Sequence, residues 1–298
     1  MNEEGVLATL GWIGLGEIGL PMAVRLIGAG HRVVVWGRRP EAVHEAVTAG
    51  AIAASSAAEL AAQCEAVFLC VTDGDAVEDV VFGPGGVAEG LRPGGLVVDH
   101  STIHPETTRG CAERLRASSA SWVDAPVSGG PGGATAGTLA IFLGGDEGDV
   151  ARVRPWIAAY ANNVTHMGGS GSGQVAKSCN QAIVASTVAV WAEVISYARR
   201  CGIDPDLLVD ALQGGWADSE IRKVHAHDMV AGRFRRAPGL IILKDLEIIG
   251  DMARRSVSPM PVAAAVTTLY RMILAQGRET GGVTAVVQLY DEQAAPRE

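Results

Sequence analysis

Lysine is almost absent from this chain: Lys177, Lys223 and Lys244 stand against 21 arginines in 298 residues. No run of basic residues forms an arm, and the formal net charge is −9. A surface of that sign repels phosphate backbones and anionic bilayers, so neither nucleic acid nor a membrane is expected as a partner. The cysteines Cys64, Cys70, Cys111, Cys179 and Cys201 are odd in number and lack C-x-x-C spacing. That excludes a disulfide framework or a cysteine zinc site and points to a reducing cytoplasm, with each cysteine read as a small buried hydrophobe. The histidines show no ligand spacing either. His100 and His104 are four apart, but Pro105 follows His104 and the stretch does not read as helical, and His225 and His227 would point different ways on a helix. No metal is expected. The start, Met1-Asn2-Glu3-Glu4, has no basic segment followed by an apolar run, so no signal peptide is read there. The most apolar long stretch, Ile183 to Ala198, contains Ser186, Thr187, Glu193 and Ser196. It falls short of the roughly 20 residues that span a bilayer and is expected to be a buried helix.

Scarcity gives the remaining lysines meaning. Where any cation serves, this chain uses arginine; a retained lysine is expected to do what arginine cannot, such as shuttle a proton.

Apolar residues make up 48% and charged residues 19%, enough for a large core. In the first half, short apolar runs alternate with helical stretches. Strands are expected at Thr9–Ile13, Arg32–Trp36, Ala66–Val71, Leu96–Asp99, Ser121–Val123, Leu139–Leu143 and near Val164. Helices are expected at Pro21–Gly28, Pro40–Ala49, Ser56–Gln63 and Pro105–Ala117. This alternation predicts βαβ units and a mainly parallel sheet. After the run Gly168-Gly169-Ser170-Gly171-Ser172-Gly173 the pattern is helical throughout, beginning with a long segment at Gln174–Cys201. Further helices are expected near Pro205–Leu212, Ser219–Met229, Lys244–Arg255 and Pro261–Gln276. A domain boundary is placed in the Gly/Ser run, dividing residues 1–168 from residues 169–298.

Gly14-Leu15-Gly16-Glu17-Ile18-Gly19 follows the first strand and opens a helix, the context that makes a G-x-G-x-x-G pattern informative. Gly14 permits a tight turn, Gly16 lets the backbone approach a pyrophosphate, and Gly19 lets helix and strand pack closely. The helix N-terminus adds N–H donors for the phosphates. The second strand runs into Gly37-Arg38-Arg39-Pro40, with no carboxylate for a ribose 2′-hydroxyl. Arg38, with Arg39 a second candidate, would instead pair with a 2′-phosphate, so NADP(H) is the expected cofactor.

These residues carry a resemblance. Gly14 to Ala23, Asp99-His100-Ser101-Thr102, Asp124-Ala125-Pro126-Val127-Ser128-Gly129-Gly130 and Gly137-Thr138-Leu139 resemble the motifs of the β-hydroxyacid dehydrogenases. So do Gly173-Gln174-Val175-Ala176-Lys177-Ser178-Cys179-Asn180-Gln181 and Lys244-Asp245-Leu246. That family includes 3-hydroxyisobutyrate dehydrogenase, tartronate semialdehyde reductase and the glyoxylate/succinic semialdehyde reductases. The resemblance implies an α/β Rossmann-type N-terminal domain and an all-α C-terminal domain joined by a long helix. It also implies homodimers or homotetramers in which helical domains pack together.

Reducing a carbonyl leaves charge on oxygen, which a positioned proton donor must meet. Lys177 matches the family's catalytic lysine. It sits early in the long helix and would face a cleft between the domains, where burial lowers an ammonium pKa toward neutrality. Asn180 and Gln181 lie one turn on and share its face, and either amide could hold the lysine or the substrate hydroxyl. Many relatives have two asparagines there. The resemblance makes Ser128, Gly129 and Gly130 a backbone nest for a substrate carboxylate. It places Ser101 and Thr102 near the nicotinamide, and Lys244 near the nicotinamide or substrate. Trp216, in Gly214-Gly215-Trp216-Ala217-Asp218-Ser219, would either narrow the pocket or fill the core. The expected activity is interconversion of a small β-hydroxy acid with its semialdehyde or keto acid. An imine reductase, or a non-catalytic NADP-binding scaffold, is the alternative on the same architecture. The lysine and the carboxylate nest argue against both.

Overall fold

The computed structural model describes residues 7–233 and 241–291, so the reading of Met1 to Glu4 lies outside the described residues. The described strands are β1 (Thr9–Ile13), β2 (Arg32–Trp36), β3 (Ile52–Ala53), β4 (Ala66–Leu69), β5 (Leu96–Asp99), β6 (Ser121–Asp124), β7 (Val127–Ser128), β8 (Leu139–Gly144) and β9 (Ala161–Gly168). They form one sheet in the order β3-β2-β1-β4-β5-β6-β8-β7, with β9 also on β8. The order reverses direction at β1, a switch point that leaves a crevice beyond the strand ends.

The parallel strands are in register at their carboxyl ends. Ile13 pairs with Trp36 and Leu69, Leu69 with Asp99, and Asp99 with Asp124. The residues that follow therefore emerge along one edge. Strand alternation fills both faces: Leu10, Trp12, Val33, Val35, Phe68 and Val98 enter one core, and Ile13, Val34, Val67, Leu69 and Val97 the other. Apolar runs such as Val33-Val34-Val35 reflect that two-sided burial. β8 departs from the parallel pattern, running antiparallel to β6 and β7 but parallel to β9.

Beyond β9, every described element is helical. The long helix covers Ser172–Arg200, and others cover Pro205–Ala211, His227–Val230, Ile241–Arg255 and Pro261–Ala275. The expected helix at Ser219–Met229 is split, with a π-helical turn over Arg222–Ala226. The chain forms two compact units, residues 1–177 and 178–298, which divide within the long helix. By length and composition alone, this is the one described helix able to cross a membrane. The shortness expected from Ile183–Ala198 therefore does not extend to the whole helix. Its Val188, Trp191, Ala192 and Ile195 are buried in the core of the second unit, while Ile183, Val190 and Tyr197 are exposed.

Cysteine burial is mixed. Cys64 and Cys111 are buried, and burial pushes both thiols up to about 12, whereas Cys179 and Cys201 are exposed. Both lie at the long helix, Cys179 on its outer surface and Cys201 just past its end, so neither is the buried hydrophobe expected.

One buried histidine ties the sheet to its neighbours. His100 packs against Trp12 and Phe68 and lies edge-on to Tyr160, at 5.6 Å between ring centroids. Its Nδ1 is 2.7 Å from the Ala125 carbonyl, which requires the proton there. Nε2 then accepts from the Tyr160 hydroxyl at 3.0 Å. Burial lowers its pKa from 6.5 to about 4. As pH falls below 6.5, the unfolded chain gains a proton at His100 that the folded chain takes up only near pH 4. Folding is therefore expected to weaken across that window by up to about 3 kcal/mol from this group. Urea unfolding at pH 7 and pH 5 should show a smaller loss in His100→Gln than in wild type. An equal loss in both would exclude His100 as the source.

Candidate functional site

The glycine turn begins where β1 ends. Gly14 has φ +99°, and a Cβ there would stand 2.1 Å from the Cys70 carbonyl oxygen, so only glycine fits between β1 and β4. A Cβ at Gly19 would meet the Gly14 carbonyl at 1.9 Å, which locks the start of helix Gly19–Gly28 onto the turn. Gly16 differs: nothing lies within 4 Å of its Cβ position. The helix starts at Gly19 rather than Pro21, because the backbone is already helical at Ile18. Glu17 is exposed and Leu15 buried.

A cavity of about 210 Å³ opens against this turn, lined by Gly14, Leu15, Gly16, Arg38, Arg39 and Thr72 among others. The open space at Gly16 and the N–H groups of the helix start suit a pyrophosphate. The arginines are both exposed, but they differ. Arg39 Nη2 donates to the Leu15 carbonyl at 2.9 Å and so braces the turn.

The second cluster forms where β5 and β6 end. The Ser101 backbone N–H donates to Asp99 Oδ1, and its hydroxyl accepts from the Val71 backbone N–H, both at 2.9 Å. Ser101 is thus a buried bolt between strand ends rather than a lining group, while Thr102 beside it is half-buried. Asp124, at the end of β6, accepts from the Gly171 N–H at 2.8 Å and the Gln174 N–H at 3.0 Å. It caps the long helix with a carboxylate at the positive end of the helix dipole. Burial pushes its carboxyl above the usual range, while the backbone donors pull it back. Gln174, fully buried, donates through Nε2 to the Ser101 carbonyl at 2.8 Å and accepts the Ile103 N–H at 3.2 Å. Lys177 follows on the same helix with 7% of its surface exposed. In the sequence, Asp124 and Gln174 stand out only as parts of motifs. A strand-end acid followed by a Gly/Ser run and a long helix was the available signal.

Ser128, at the end of β7, and Gly129 lead into helix Gly130–Ala136. Gly129 and Gly130 both have positive φ, at +129° and +61°.

In the second unit, Asn180 Nδ2 donates to Gln181 Oε1 at 2.9 Å, and Gln181 Nε2 to Asp245 Oδ2 at 2.6 Å. Lys244 Nζ stands 3.1 Å from Asp245 Oδ1. Asn180, Gln181 and Lys244 are therefore gathered around Asp245, which sequence reasoning left without a role. Trp216 is fully exposed, so it does not fill the core. Its loop is closed by Asp218, which accepts the Gly214 N–H at 2.8 Å and pairs with the buried Arg222 at 2.6 Å. Among the described residues, no group of three or more His, Cys, Asp or Glu is placed to hold a metal ion.

A mainly parallel sheet with a glycine turn and a cavity at its switch point defines an NAD(P)-binding domain of the Rossmann type. The family described as the NAD binding domain of 6-phosphogluconate dehydrogenase matches residues 9–169. The family described as NAD-binding of NADP-dependent 3-hydroxyisobutyrate dehydrogenase matches residues 171–290. The chain is 36% identical to 2-hydroxy-3-oxopropionate reductase of Escherichia coli K12, across 96% of this chain and 98% of that one. It superposes on 3-hydroxyisobutyrate dehydrogenase from Salmonella typhimurium with a TM-score of 0.88 at 28% identity, covering 95% of this chain and 99% of that one. A solved complex with NADP+ and 2-OPP gives 0.86 at 27% identity, covering 94% and 99%. The chain therefore belongs to the 3-hydroxyisobutyrate dehydrogenase family of hydroxyacid dehydrogenases.

Replacing Asp124 by alanine strands two buried N–H donors at the helix start. Asp124→Ala is expected to cost roughly 2–5 kcal/mol, read from the denaturant midpoint. A loss under about 0.5 kcal/mol would mean that water or another group satisfies those donors.

Proposed function

We propose that this protein is an NADP(H)-dependent oxidoreductase that interconverts a small β-hydroxy acid and its semialdehyde or keto acid, with Lys177 as general acid/base. The observation that carries the reading is Lys177 itself. One of three lysines in the chain, it is buried on a helix whose first turn is fixed to two strand ends by Asp124 and Gln174.

NADP(H), when bound, supplies or accepts the hydride. The chain's own residues do the rest. The N–H groups from Gly14 to Gly19 hold the pyrophosphate, with Gly16 leaving room for it. Arg38 pairs with the 2′-phosphate, and Arg39, held on the Leu15 carbonyl, braces the turn and adds charge. Thr102 and Lys244 contact the cofactor. Ser128, Gly129 and Gly130 receive the substrate carboxylate on backbone N–H groups. Asn180 and Gln181 orient the hydroxyl or the lysine. In reduction, the Lys177 ammonium gives a proton to the carbonyl oxygen; in oxidation, its neutral amine takes the hydroxyl proton. A homodimer or homotetramer in the cytoplasm, with the domains at residues 1–168 and 169–298, completes the proposal. The names of relatives support the substrate class, since 2-hydroxy-3-oxopropionate and 3-hydroxyisobutyrate are small hydroxylated acids.

The test is turnover of a panel of hydroxy acids and semialdehydes with NADP(H) and NAD(H). Lys177→Ala is expected to lower kcat by about 10²–10⁴-fold. Arg38→Ala is expected to reduce the preference for NADP by about 10–100-fold, the worth of a charge-assisted hydrogen bond. No turnover on any acid by a protein that still binds NADPH would overturn the reading. A preference for NAD would overturn the cofactor assignment alone.

Gly16→Ala separates binding from folding. The added methyl meets nothing in the protein, so thermal stability should stay within about 0.5 kcal/mol of wild type. NADPH affinity should fall about tenfold or more, because the methyl occupies space reserved for phosphate. Unchanged affinity would mean that the pyrophosphate does not lie against this turn.

A further inference from the structure

We propose that Asp245 is a positioning residue: through Gln181 it fixes which way the Asn180 side chain faces on the helix that carries Lys177. Asp245 is 4% exposed on helix Ile241–Arg255. Its Oδ2 accepts from Gln181 Nε2 at 2.6 Å. Its Oδ1 has Lys244 Nζ at 3.1 Å, a close charge contact without hydrogen-bond alignment.

A carboxylate only accepts hydrogen bonds, whereas a glutamine amide can turn either end outward. Facing Asp245, Gln181 must present Nε2. Its Oε1 is then directed at Asn180, where it accepts Nδ2 at 2.9 Å. Polarity thus passes in one direction from Asp245 through Gln181 to Asn180, and Asn180 Oδ1 is turned away from Gln181. Lys244 partly offsets the burial of that charge, so the pair maintains an acceptor-only group facing Gln181.

Asn180 and Gln181 follow Lys177 by three and four positions, so the fixed amides share its helix face. The catalytic consequence rests on the proposed role of Lys177; the hydrogen-bond relay does not.

The test uses the full chain as wild type, Asp245→Asn, Gln181→Glu and the double variant. The amide introduced at 245 permits Gln181 to turn over, and the carboxylate introduced at 181 faces Asp245 unfavourably. In the double variant, the carboxylate at 181 accepts from both the amide at 245 and Asn180 Nδ2, restoring the orientation of Asn180. It also keeps the net charge beside Lys244, so it is expected to fold even where Asp245→Asn does not.

The side-chain amide resonances of Asn180 in nitrogen–proton NMR should shift in the folded single variants and return to wild-type positions in the double variant. With a substrate that wild type turns over, kcat should fall about tenfold in each single variant. Asn180 resonances that stay put in Asp245→Asn, or remain displaced in the double variant, would overturn the relay. Failure of wild type to turn over any hydroxy acid would overturn the proposed function instead, and the resonances would still decide the relay.

Discussion

The carboxylate of Asp124 meets the N-terminus of the long helix, and the placement of Lys177 follows from that contact. β6 ends in this residue, in register with Asp99 of β5, so its side chain stands at the level where the strand ends line up. From there it accepts the Gly171 and Gln174 N–H groups, while Gln174 reaches back to Ser101 and Ile103. A helix of 29 residues is thereby held at its first turn by contacts on two strands. Burial makes the charge on Asp124 costly, and the helix N–H groups and dipole are what make it tolerable.

The other features of the first unit depend on the same alignment of strand ends. The glycine turn fits because Gly14 lies against the Cys70 backbone at the end of β4, and the cavity beside it exists because the strand order reverses at β1. Beneath the edge, His100, Trp12, Phe68 and Tyr160 form an aromatic layer in which the Tyr160 hydroxyl donates to His100 Nε2 and the Ala125 carbonyl accepts from Nδ1. Burial in that layer keeps the histidine neutral.

The second unit uses a buried carboxylate differently. Asp124 fixes a helix by accepting backbone N–H groups, whereas Asp245 meets side chains, with Gln181 on one oxygen and Lys244 by the other. In both cases an acceptor-only group settles an orientation that neutral residues would leave open. The loop carrying Trp216 is held by Asp218 and Arg222, which leaves the indole fully exposed rather than packed.

Local periodicity decided much of the fold. The short, largely apolar runs at Thr9–Ile13 and Arg32–Trp36, alternating with helical stretches, read as two-sided strands, and the G-x-G-x-x-G turn follows the first of them. The helices that start at Pro205 and Pro261 were equally legible from their spacing and their prolines, whereas the one expected at Ser219–Met229 is split by a π turn. Other elements carried no such signal. β3 and β7 have two residues each and exist because a neighbouring strand offers hydrogen bonds. Helix Gly130–Ala136, with the sequence Gly-Pro-Gly-Gly-Ala-Thr-Ala, runs against intrinsic propensity. The sequence by itself thus determined the strand-and-helix alternation, the glycine turn and the isolated lysine, because each is written in neighbouring residues. Only the tertiary structure decided that Asp124 caps a helix 47 positions away and that Gln181 meets Asp245 across 64, or that Trp216 stays outside the core. Those contacts arise from how strands and helices pack, and no local pattern encodes which distant partner a polar side chain will meet.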